Sequence, residues 1–149
     1  MDEFQQPDTS KFDLEVGAAV PPIWVRFIGG IVGAAGFFMV GSAVQLVMFF
    51  YLATWVKATV AVVGVLGLAM IGVSPWIFKA RSWASIAGTA LCIFAALVSG
   101  VWTIYAISIT LFSPLMLLAA FMCCVAALTI PLTIPASLRV TAARNALYE

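Results

Sequence analysis

The sequence predicts an all-α integral membrane protein: a four-helix transmembrane bundle of up-down-up-down topology, with very short loops and both termini cytoplasmic. Three observations carry this reading. Of the 149 residues, 64% are hydrophobic and 9% are charged, with a mean hydropathy of +1.16. A soluble domain of such length buries only about two-thirds of the surface its chain exposes, so lipid must be the solvent for most of this chain. Second, the uncharged runs are long, and roughly 20 apolar residues span a bilayer. Third, the basic residues gather where those runs start and stop.

Residues 1–20 read as a polar, acidic, cytoplasmic tail. Five of the six acids lie there (Asp2, Glu3, Asp8, Asp13, Glu15), and the sixth is Glu149. Ser10 with Asp13 can start a short helix. The alternation of Phe12, Leu14 and Val16 with charged residues suits an extended segment equally. The acidic start and the late apolar run do not resemble a signal peptide.

Residues 21–138 form the transmembrane domain. Pro21-Pro22 opens the first helix, since proline is tolerated in a first turn. Trp24 and Arg26 anchor it at the interface. Its span is approximately 23–55, with Tyr51 and Trp55 as belt aromatics before Lys57. The second span, 58–78, closes at Ser74-Pro75-Trp76, followed by Lys79 and Arg81. From Trp83 to Leu138 the chain carries no charge over 56 residues, which is too long for one span. Phe112-Ser113-Pro114 divides it into spans at 83–111 and 115–138, because proline cannot continue a helix from the preceding turn. Residues 139–149, with Arg139 and Arg144, form a short cytoplasmic tail. Such short connections make sequential helices antiparallel neighbours. In that plan Lys11, Arg26, Lys79, Arg81, Arg139 and Arg144 share one face and Lys57 alone marks the other. This bias puts both termini inside, and a bacterial inner membrane is the default for so compact a plan.

Helical spacing groups the small residues into stripes. Gly29, Gly33 and Gly36 lie together on the first helix, beside Gly30, Ala34, Gly41 and Gln45. Ser85, Thr89, Cys92, Ala96, Ser99, Thr103 and Thr110 line one face of the third. Ala119, Cys123, Ala126, Thr133 and Ser137 line one face of the fourth. Most large residues (Phe37, Phe38, Phe49, Phe50, Trp102, Phe121) fall elsewhere. Helices associate in lipid by close packing and interhelical hydrogen bonds, so these stripes are helix-packing faces or faces for a partner. Gln45, the most polar side chain in the spans, is expected to bond a neighbouring helix, such as a hydroxyl on the third. Pro131 and Pro135 should kink the fourth helix and free the carbonyls of Ala127 and Pro131.

The chemistry that would make an enzyme is missing from the pattern. There is no histidine. The spans contain no ionisable residue of the kind that marks proton relays and transport sites. The three cysteines (Cys92, Cys123, Cys124) lie within apolar runs and read as small apolar filler. No phosphate-binding loop motif occurs. A net charge of +1 carries no nucleic-acid footprint. No cofactor or metal is therefore expected. The function expected is that of a non-catalytic accessory or scaffold subunit, packing on a larger membrane complex through small-residue faces. The alternative is an oligomeric pore, or a transporter or carrier for a neutral or lipid-like molecule. An enzyme acting on lipid headgroups through Lys79, Arg81, Arg139 and Arg144 is a weaker third reading. The expected partners are membrane lipids and a membrane protein or further copies of this chain. Arg26, Lys79, Arg81 and Arg139 are the expected headgroup and topology anchors.

Overall fold

The computed structural model describes residues 17–49, 54–108 and 113–146. The acidic tail with Ser10 and Asp13, the belt residue Tyr51, and Phe50, Thr110 and Phe112 lie outside the described residues. So do the side chains of Phe49 and Trp55. Every element among the described residues is helical, and no strand occurs among them. The elements are α1 (Ile23–Phe49), α2 (Thr54–Phe78), α3 (Ser82–Ser108), α4 (Pro114–Thr129), a 3-10 turn (Ile130–Leu132) and α5 (Thr133–Ala146). Four stretches are long and apolar enough to cross a membrane: Ile23–Met48, Val56–Phe78, Ser82–Ser108 and Pro114–Ala146.

Three boundaries are set by local features, and two of them differ from the sequence reading. First, α2 begins at Thr54, so Lys57 sits within its first turn instead of in a loop. Second, α2 ends at Phe78 as read, but it runs through Pro75 to get there. Proline there removes one backbone donor near the end of the helix, and the true stop is a C-terminal cap. Ala80 adopts a left-handed φ of 50°, its N–H donates to the Ile77 carbonyl, and the Arg81 N–H donates to that of Trp76. That pair of bonds is the Schellman arrangement, with alanine where glycine is usual. Third, α5 continues past Arg139 to Ala146, so the expected C-terminal tail is largely an extension of the last helix.

Ser113 starts α4 in extended conformation, with Pro114 in the first turn, where its missing N–H costs nothing. Of the two later prolines, Pro131 lies in the 3-10 turn that interrupts the regular helix, and Pro135 lies in the first turn of α5. Around them the hydroxyls of Thr129 and Thr133 bond the Val125 and Ile130 carbonyls at 2.8 and 2.7 Å. The Pro131 carbonyl, expected to be free, accepts together with that of Ile130 from the Thr133 N–H.

Helix α1 packs on α2 and α4, and α3 packs on α2 and α4. The centre is filled by Met39 and Met70, with Val32, Ile77, Cys92, Cys123 and Ile130 also fully buried. A second cluster joins Leu46, Val60, Trp102 and Met116. A third joins Val25, Ala80 and Val140. Trp102 is a correction to the sequence reading: it is 8% exposed and belongs to the core. Phe37 and Phe121 do face outward.

Candidate functional site

The small-residue stripe of α1 is turned onto α2. A methyl group added at Gly36 would lie 2.5 Å from the Gly67 carbonyl oxygen, and one at Gly67 would lie 2.7 Å from that of Gly36. Backbones this close require glycine on both sides. A methyl at Gly33 would lie 2.9 Å from Ser74 Oγ, and one at Gly29 would meet the Phe78 backbone at 3.3 Å. The Ser74 hydroxyl donates to the Gly29 carbonyl at 2.8 Å. Gly29, Gly33 and Gly36 are therefore residues of the α1–α2 contact. Their partners Gly67 and Ser74 were not singled out in the sequence. They stand seven apart on α2, on the same face as Val60, Val63, Met70 and Ile77, and that spacing was the available signal.

The hydroxyl face of α3 also points inward. Ser85 is fully buried, and Ser99 and Thr103 are nearly so. Thr89 and Thr103 donate to the carbonyls of Ser85 and Ser99 one turn back, both at 2.7 Å, and Ser99 donates to that of Ala96 at 3.3 Å. These groups satisfy themselves on their own helix. Ser85 Oγ and Trp102 Nε1 are the exceptions, buried with no hydrogen-bond partner among the described residues. In the stripe of the fourth span, Ala119, Cys123 and Ala126 on α4 and Thr133 and Ser137 on α5 are all buried.

Gln45 bonds a hydroxyl, but not one on α3. Ser113 Oγ donates to Gln45 Oε1 at 2.8 Å. Ser113 occupies the N-cap position of α4, and its hydroxyl makes no cap bond to its own helix. The bond thus ties the late part of α1 to the beginning of α4.

The cationic anchors lie at one end of the bundle, lining separate cavities there. Val25, Ala80 and Val140 share one cluster, which brings Arg26, the pair Lys79 and Arg81, and Arg139 to a common region. Arg144 secures it: its Nη1 donates to the Lys79 carbonyl at 3.0 Å and its Nε to the Ala19 carbonyl at 3.3 Å. A cavity of about 360 Å³ there is lined by Lys79, Arg81, Thr141, Arg144 and Asn145. Sequence separations of 65 and 125 residues hid both Arg144 bonds. The other surface cavities of the described residues are mainly apolar. One of about 420 Å³ is lined by Thr59, Leu97, Val98, Val101, Trp102 and Tyr105.

Three or more potential metal ligands do not cluster anywhere among the described residues. No protein-family model, curated protein or solved structure matches this chain.

Proposed function

We propose that this chain is a non-catalytic, multi-pass membrane protein that serves as an accessory or scaffold subunit of a larger membrane assembly. In this reading the helices cross up-down-up-down with both termini cytoplasmic, in a bacterial inner membrane. The antiparallel arrangement is supported along α1 and α2, where Gly29 lies by Phe78, Gly36 by Gly67, and Ala43 by Gly64. The orientation is supported by the placement of Arg26, Lys79, Arg81, Arg139 and Arg144 at one end of the bundle, because a basic end faces the cytoplasm.

The observation that carries the accessory role is how the interior polar groups are used. The core hydroxyls mostly bond backbone carbonyls of this chain, and the small-residue faces pack on its own helices. Little reactive or solute-binding chemistry is left inside. The route to a partner is accordingly different from the one the stripes suggested. It runs through the outer apolar faces, such as Leu97, Val101 and Ile104 on α3, and through the basic end. A pore through the single bundle is disfavoured by the filled centre at Met39, Met70, Cys92 and Cys123. A carrier role draws on the apolar cavity at Trp102 and Tyr105.

The test is purification in mild detergent from the native host, with mass spectrometry of everything retained. Reproducible recovery of one larger membrane complex is the expected result. Recovery of this chain alone, as a ring or with a bound apolar molecule, overturns the accessory reading in favour of a pore or carrier.

A further inference from the structure

We propose that the basic cavity between the α2–α3 turn and the end of α5 binds a phosphoryl group, carried by an anionic lipid headgroup or by free phosphate. It rests on the membrane setting above but not on the accessory role. Lys79, Arg81 and Arg144 line this one cavity together with Thr141 and the Asn145 amide. Its volume, about 360 Å³, lies within the roughly 300–1,000 Å³ typical of small-molecule sites. No Asp or Glu falls among the described residues, so none of these residues offers the three cations a carboxylate.

The competing use for the three cations is to complement helix ends. Both α2 and α5 terminate at the cavity, and each C-terminus contributes about −0.5 of a charge. Three cations exceed that demand, so the described lining carries about two positive charges in excess, which suits a phosphoryl group. Arg144 is held in place by the Ala19 and Lys79 carbonyls. A guanidinium has about five N–H donors, so others remain for a ligand. The Lys79 ammonium rests over the Trp76 ring at 5.2 Å from its centroid. Trp76 in turn packs against Trp83 with ring centroids 5.8 Å apart and planes tilted by 50°, and both are exposed. Exposed tryptophans mark the headgroup level of a bilayer, and basic pockets between helices at that depth hold anionic headgroups.

The test uses the full chain in neutral detergent and native mass spectrometry. It is titrated with phosphatidylglycerol, with phosphatidylcholine of the same acyl chains, and with inorganic phosphate. One phosphatidylglycerol per chain should bind about tenfold or more tighter than phosphatidylcholine. Each Lys or Arg near an anionic headgroup is worth roughly fivefold in affinity. K79Q/R81Q should therefore weaken binding about thirtyfold, R81Q alone about fivefold, and K57Q not at all. The two single-residue changes, with unchanged melting temperatures, guard against misfolding of the double variant. Displacement of the lipid by inorganic phosphate assigns the site to free phosphate, and failure to displace assigns it to the headgroup. Both results uphold a phosphoryl site. Equal binding of the two lipids overturns the proposal, as does undiminished binding in K79Q/R81Q. So does phosphatidylglycerol binding that appears only after Asp8, Asp13 and Glu15 are neutralised, since the acidic tail would then own the cavity.

Discussion

Two serines in this bundle carry the same side chain in opposite circumstances. Ser74 donates across α1 and α2 to the Gly29 carbonyl, whereas Ser85 is fully buried with its hydroxyl unpartnered among the described residues. Interhelical hydrogen bonds in membrane bundles average about 0.6 kcal/mol and reach about 1.7. Ser74→Ala should therefore destabilise by about 1 kcal/mol. An unsatisfied buried polar group costs about 1–3 kcal/mol, so Ser85→Ala should stabilise by about 1. Melting temperatures of the two variants in one detergent should move in opposite directions. The glycines divide in the same way. A methyl at Gly36 collides with the Gly67 carbonyl, while one at Gly72 meets nothing within 4 Å. Gly36→Ala should cost about 1–3 kcal/mol by overpacking. Gly72→Ala should leave stability unchanged or raised by up to about 1 kcal/mol. Comparable losses in both would mean that the close approach at Gly36 is not what holds the helices.

At the scale of an element, the α1–α2 contact is a coupled unit, and its coupling is measurable. The methyl of Gly33→Ala would sit 2.9 Å from Ser74 Oγ. Ser74→Ala removes that atom, so the double variant should lose about 0.5–1 kcal/mol less than the sum of the two single losses. Strict additivity would place the two residues out of contact. The sequence made one side of this unit readable. Gly29, Gly33 and Gly36 stand out in an uncharged run, but Gly67 and Ser74 acquire meaning only once α2 is laid beside α1. Helix ends were harder to read. Pro114 is a start and Pro75 is not a stop, because what decides is the position of the lost donor relative to the helix terminus. Arg139 ends the uncharged run but not the helix: α5 continues to Ala146, and Arg144 on this extension bonds the carbonyls of Lys79 and Ala19. Gln45 announced a polar contact but could not name its partner. The answer was a serine whose hydroxyl leaves its own helix uncapped.

For the whole molecule, the separation of charge between two clusters makes orientation the sharpest prediction. Val25, Ala80 and Val140 unite Arg26, Lys79, Arg81 and Arg139 in one region. Lys57 lies by Val56 in the cluster that contains Leu46, Trp102 and Met116. If the bundle spans a bilayer with its basic end inside, these two regions face different compartments. A membrane-impermeant maleimide should label Arg81→Cys only in inverted vesicles and Lys57→Cys only in intact cells. The native thiols should stay silent: Cys92 and Cys123 are buried, and Cys124, though exposed, lies within the apolar stretch of α4. Labelling of both introduced cysteines from one side would break the up-down arrangement. Labelling each from the opposite side would keep the arrangement and invert the molecule. In the inverted case the basic cavity would face away from the cytoplasm. An anionic lipid could still reach it from the outer leaflet, but a cytoplasmic phosphate could not. The labelling result therefore also limits which carrier of a phosphoryl group can occupy the cavity.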